Sequence, residues 1–102
     1  MFNTIKKIFG VSTPDKKKLM KDDAIIIDVR TPFEFKSGHI PGSRNIPLDT
    51  LPSAIAKLKK LNKKIITVCR SGSRSATAKN MLVSAGIDVH DGGAWQNLRE
   101  AV

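Results

Sequence analysis

Hydrophobic residues fall along the 102-residue chain in two kinds of pattern. Residues 24–29 (AIIIDV) and 65–68 (IITV) are near-continuous apolar runs. Short runs of this kind suit strands buried on both faces, as in a parallel sheet. Elsewhere the spacing is helical. Leu51, Ile55, Leu58 and Leu61 recur along one face with lysines opposite, and Pro52 fits the first turn of that helix. Ala78, Leu82 and Ala85 mark another helix, with Gly86 as its stop. Trp95, Leu98 and Val102 mark a last one. Thr13-Pro14-Asp15 predicts an earlier helix start (cap, proline, then an acid near the positive end), with the helix ending around Lys21.

Between these segments, residues 31–45 read as loop, with Gly38, Pro41 and Gly42. Short strands are expected at 44–46 and 87–90, and Asp91-Gly92-Gly93 is expected to turn the chain. Strands alternate with helices, so the predicted class is α/β with a mainly parallel sheet. Residues 1–12 carry Phe2, Ile5 and Phe9 at helical spacing and read as an amino-terminal arm that packs or frays; residues 13–102 form one domain.

Composition narrows the picture. The length allows one domain with its own core. No apolar run reaches the ~18 residues of a membrane-spanning helix, and the arm is too short and too broken by Lys6 and Lys7 for a secretory leader. The default location is therefore cytoplasmic. The single cysteine, Cys69, excludes an internal disulfide, a CxxC pair and a cysteine zinc cluster. With only His39 and His90 besides, neither metal nor cofactor is expected.

Eighteen Lys and Arg against nine Asp and Glu leave a net charge of +9. The lysines form patches without interleaved aromatics, so solvated helix faces are a better reading than a specific nucleic-acid footprint. The positive field still speeds encounter with small anions.

Cys69 stands where a buried strand ends and a helix is about to begin, the edge at which open α/β sheets bind ligands. Arg70, Ser71, Gly72, Ser73, Arg74 and Ser75 follow. Small residues and glycine let successive N–H groups converge on one point, and the next helix adds its positive end. Both effects, with Arg70 and Arg74 nearby, favour a thiolate nucleophile facing an anionic substrate. A cysteine alone would read as a core residue ending a strand. The loop after it reverses that preference.

Three segments then carry a resemblance: IIIDVRTPFEFKSGHIPGSRNIP (residues 25–47), VCRSGSRS (68–75), and Asp91-Gly92-Gly93-Ala94-Trp95. In this order they resemble the single-domain rhodaneses, which are sulfurtransferases. The resemblance implies a rhodanese-like three-layer sandwich, with a central sheet of about four to five strands between helices. It implies a ping-pong reaction as well. Cys69 takes the outer sulfur of thiosulfate or another persulfide donor and passes it to cyanide or a thiol. The loop residues 70–75 would bind the donor, and a monomer is expected. The front of the chain, GVSTPDKKKLMKDD, departs from the strand and helix that usually open such domains, so a reduced first strand is expected.

Two alternative functions fit the same residues. One is a persulfide relay, loaded by a protein partner. The other is a phosphatase or arsenate reductase of related fold. Cysteine phosphatases place five residues between Cys and Arg, whereas four separate Cys69 from Arg74. Asp28, Arg30 and Glu34 read as loop architecture, with Arg30 and Glu34 pairing. His39, His90 and Trp95 read as structural, and Ser75 as a helix cap.

Overall fold

The structure, a computed structural model, describes residues 23–101. The predicted arm and the helix from Thr13 to Lys21 lie outside these residues, as does Val102. Among the described residues, four strands form one sheet: β1 (Ile25–Asp28), β2 (Arg44–Asn45), β3 (Ile65–Cys69) and β4 (Val89–Ala94). Their order is β2-β1-β3-β4, and every pairing is parallel. The helices are α1 (Pro32–Lys36), α2 (Leu51–Leu61), α3 (Ser73–Ser84) and α4 (Trp95–Ala101), with a 3-10 turn at Leu48–Thr50.

The apolar runs are buried on both faces, as their composition predicts. Ile27, Val29, Ile65 and Cys69 face one core with Leu51, Leu58, Ala78 and Leu82 of α2 and α3. Ile26, Ile66 and Val68 face the other, with Ile40 and with Trp95 and Leu98 of α4. Each isoleucine so buried contributes about 1.5–3 kcal/mol. The two layers clamp β3 in the middle of the sheet and fix the height of its carboxyl end, where Cys69 lies.

Two segments differ from the sequence reading. The loop expected over 31–45 contains α1. Thr31 accepts from the Glu34 N–H at 3.3 Å, and the Glu34 carboxylate accepts from the Thr31 N–H at 3.0 Å. This capping box, with Pro32 in the first turn, stabilises a helix of five residues. Asp91-Gly92-Gly93 does not turn the chain but lies inside β4. Thr67 pairs with Asp91 and Val68 with Gly93, so Gly92 is an extra residue bulged out of the ladder. Glycine is needed there because a Cβ would stand 2.8 Å from Ile66 Cγ2 and 2.9 Å from Val68 Cγ1.

Candidate functional site

Cys69 is the last residue of β3, with 1% of its surface exposed, and α3 begins at Ser73. The reversal between them needs Gly72, whose φ of +106° belongs to the left-handed region that side chains disfavour. In that conformation the Gly72 N–H donates to Cys69 Sγ at 2.9 Å, and the Ser75 N–H donates at 3.3 Å. Sγ thus occupies the amino-terminal end of α3, where unpaired N–H groups and the helix dipole favour negative charge. Burial pushes the thiol up. Hydrogen bonds from the Ser75 hydroxyl and from the Ser75, Gly72 and Ser71 N–H groups outweigh burial, so the thiol lies below its ordinary value.

The six residues after Cys69 divide by what they touch. Ser71 and Ser73 are exposed. Arg70 is exposed too, and its guanidinium has no partner among the described residues. Arg74 grips Glu34, with Nη1 to Oε1 at 2.8 Å and Nη2 to Oε2 at 3.0 Å. That fork, together with the Thr31 N–H, holds the Glu34 carboxyl down at about 2 and pushes Arg74 up. Ser75 is buried; its Oγ lies 3.0 Å from the Gly72 carbonyl and 2.7 Å from Asp91 Oδ1. Its own carbonyl accepts from Thr67 Oγ1 at 2.9 Å, tying α3 to β3.

The expected Arg30–Glu34 side-chain pair is not formed. Arg30 turns inward and holds the fully buried Asp28 through Nε at 2.9 Å and Nη2 at 2.7 Å. Its remaining N–H groups donate to the carbonyls of Glu34 and Gly38, and its guanidinium lies 4.7 Å from the Trp95 ring centre. Arg30 therefore ties α1 and the loop after it to the sheet, and Trp95 forms the wall behind. This leaves the Glu34 carboxylate for Arg74. His39 stacks on Phe35 with its Nδ1 at 2.8 Å from the Phe35 carbonyl, and His90 pairs with Asp88. Among the described residues, neither makes a hydrogen bond or ion pair with the cysteine loop. Asp91 escaped the sequence reading. Its carboxylate meets both Ser75 and the Gly93 N–H, and the glycine pair that looked like a turn was the only signal of the bulge that aims it.

The site is thus a thiol cradled by N–H groups at the carboxyl end of an inner strand of a parallel α/β sheet. The rhodanese-like domain family matches residues 12–97, and the chain belongs to it. A sulfurtransferase of Allochromatium vinosum is 32% identical over 65 residues, covering 64% of this chain and 60% of that protein. Thiosulfate sulfurtransferase GlpE of Stutzerimonas stutzeri is 37% identical over 74 residues, covering 72% of this chain and 67% of that protein. A solved structure of an E. coli rhodanese with anions superposes with a TM-score of 0.67 at 30% identity, covering 72% of this chain and 89% of that one. The chain is thus a rhodanese-like domain similar to sulfurtransferases, and it spans 60% and 67% of the lengths of these two relatives. Among the described residues, no helix is long and apolar enough to cross a membrane.

Proposed function

We propose that the protein moves a sulfane sulfur through a persulfide on Cys69. The Cys69 thiolate attacks the outer sulfur of thiosulfate, the S–S bond of the donor breaks, and sulfite leaves with the bonding pair. The product is a Cys69 persulfide anion. Cyanide or a thiolate then attacks the outer sulfur and regenerates the Cys69 thiolate. The observation that carries this reading is the pair of N–H groups, from Gly72 and Ser75, directed at Sγ. They stabilise the thiolate before transfer and sulfur-borne charge after it. Among the described residues Arg70 has no partner and is placed to meet an anionic donor, whereas Arg74 is engaged by Glu34. An engaged Arg74 also speaks against phosphatase chemistry, which needs a guanidinium turned to the phosphate oxygens. With no second cysteine to resolve it, the persulfide passes to another molecule.

Intact-protein mass spectrometry tests this directly. Thiosulfate should add one sulfur atom, cyanide should remove it, and Cys69→Ser should prevent the gain while leaving the fold intact. No gain with thiosulfate would reject it as donor and turn attention to loading by a protein persulfide.

A further inference from the structure

Ser75 is fully buried, and each of its polar atoms has a partner in the sheet. Its N–H donates to Cys69 Sγ at 3.3 Å. Its carbonyl accepts from Thr67 Oγ1 at 2.9 Å, and its hydroxyl lies 2.7 Å from Asp91 Oδ1. Thr67 and Asp91 are register partners on β3 and β4, so two adjacent strands reach the same residue of α3. The hydroxyl must donate to the carboxylate, and a charged acceptor at 2.7 Å holds the proton better than the Gly72 carbonyl at 3.0 Å. Asp91 is held in turn. The Gly93 N–H donates to the same Oδ1 at 2.9 Å, across the bulge at Gly92. Bulges beside active sites commonly re-aim a side chain. Asp91 is itself exposed, so its place here is not explained by filling the core.

We propose that Asp91 is a positioning residue: by anchoring the Ser75 hydroxyl to β4, it holds the Ser75 N–H on Cys69 Sγ. That N–H is the second of the two donors that cradle the sulfur. The first, from Gly72 at 2.9 Å, is set by the left-handed turn at Gly72 itself. The second is longer and depends on where the first turn of α3 sits. Without Asp91, Ser75 keeps only the bond from Thr67 as a tie to the sheet besides Sγ. A donor held in place favours the thiolate and steadies sulfur-borne charge. The inference rests on Cys69 being the reacting thiol and is independent of which donor loads it.

Other charges around the loop are accounted for. Arg74 on α3 is paired with Glu34 of α1, and Asp28 of β1 is held by Arg30. Arg70 follows Cys69 directly, and His90, next to Asp91 on β4, is paired with Asp88. All of these stay constant in the comparison below.

The experiment is the pH profile of alkylation by iodoacetamide in the whole 102-residue chain, where Cys69 is the one cysteine. It compares Asp91→Asn with Asp91→Ala, each alone and with Ser75→Ala, and circular dichroism checks the fold. Asparagine removes the charge but keeps an acceptor for Ser75 and Gly93, whereas alanine removes both. The difference between them therefore reads the anchor and not the field of the carboxylate. Releasing the Ser75 N–H from Sγ removes one hydrogen bond to the thiolate, which lowers the thiolate fraction about fivefold below the midpoint. Nucleophilicity rises in partial compensation, by about twofold for a Brønsted slope near 0.5. Asp91→Ala should thus react about twofold slower than Asp91→Asn on the acid limb and about twofold faster on the alkaline plateau, so the profiles cross. Ser75→Ala keeps the N–H but has no hydroxyl to anchor, so in that background the two profiles should coincide. Asp91→Val also lacks an acceptor and suits a strand better than alanine; it repeats the comparison if the alanine variant loses its fold. A merely structural role would lower Tm and leave the midpoint of alkylation in place. Coincident profiles for the two single variants, or an equal separation without the Ser75 hydroxyl, would overturn the proposal. Alkylation requires no sulfur donor, so a failed persulfide assay and a failed crossing are separate results.

Discussion

Gly92→Ala places one methyl group at the point where β4 leaves its regular register, and the structure fixes what that methyl meets. It would lie 2.8 Å from Ile66 Cγ2, 2.9 Å from Val68 Cγ1 and 3.0 Å from the Thr67 carbonyl oxygen. Carbon atoms pack best at about 3.5–4.0 Å, so the first two contacts are too short by about 0.6–1.2 Å. Ile66 and Val68 are 1% and 0% exposed, and the third contact is backbone, so none has free space to enter. Overpacking a rigid core costs about 1–3 kcal/mol, and these neighbours put the cost at the upper end. For a domain of this size that corresponds to roughly 10–20 °C in Tm. Urea and thermal unfolding followed by circular dichroism measure it. Val68→Ala removes one clashing methyl, so the double variant should be less destabilised than the two single losses added, by at least ~0.5 kcal/mol. A Gly92→Ala protein within ~0.5 kcal/mol of wild type, or strict additivity in the double variant, would refute the steric reasoning.

Other consequences concern the charges around the loop. Glu34 is held at about 2, against an ordinary value of about 4.3, so its ion pair stabilises the fold above the ordinary value and fades as pH falls through about 2. The pair is partly exposed, so the increment is about 1 kcal/mol. Urea midpoints measured from pH 6 down to pH 2 should show it in wild type and not in Glu34→Gln. Arg30→Ala removes the partner of an Asp28 carboxylate with no exposed surface. Losing one half of such a pair costs about 3–5 kcal/mol, and thermal unfolding should register a fall of more than ~12 °C. Arg70→Gln should lower kcat/KM for thiosulfate by about three- to tenfold while sparing an uncharged sulfur donor. Equal losses with both donors would remove Arg70 from anion recognition.

How much of this was written in the sequence depends on how local the cause is. The strands β1 and β3 were legible because AIIIDV and IITV bury both faces, and the cysteine loop was legible because small residues follow directly on a buried strand. The helix α1 was missed although its capping box, Thr31 to Glu34, is plain in the sequence. Five helical residues among Gly38, Pro41 and Gly42 give no period to detect. The last strand was cut short because two glycines ordinarily punctuate a chain. Their reason here is contact with Ile66 and Val68, residues of another strand. The Glu34–Arg74 pair spans 40 positions, whereas spacing along the chain favours Arg30 as the partner of Glu34. The buried Asp28 decides between them, because an unpaired buried carboxylate costs more than an unpaired surface one.

That choice of partners bears on how the cysteine is activated. Three arginines lie within a few residues of the site in sequence or space, and a free guanidinium beside Sγ would stabilise the thiolate most simply. Two of the three are engaged elsewhere: Arg30 with Asp28, and Arg74 with Glu34. Direct hydrogen bonding to Sγ falls to the backbone N–H groups of Gly72 and Ser75. Backbone donors are fixed by the loop and do not titrate, so they serve a thiolate and a persulfide alike. A mobile guanidinium would instead collapse onto the thiolate and compete with the incoming donor. In the sulfur transfer proposed above the same cysteine would accept and then release, so stabilisation that is moderate and constant suits it better than stabilisation that is strong. Replacing Glu34 by Gln also tests this point. The freed Arg74 should bind the thiolate, extend thiolate formation to lower pH and slow the alkaline plateau of alkylation. An unchanged profile would show that Arg74 is kept from Sγ by the loop itself and not by Glu34.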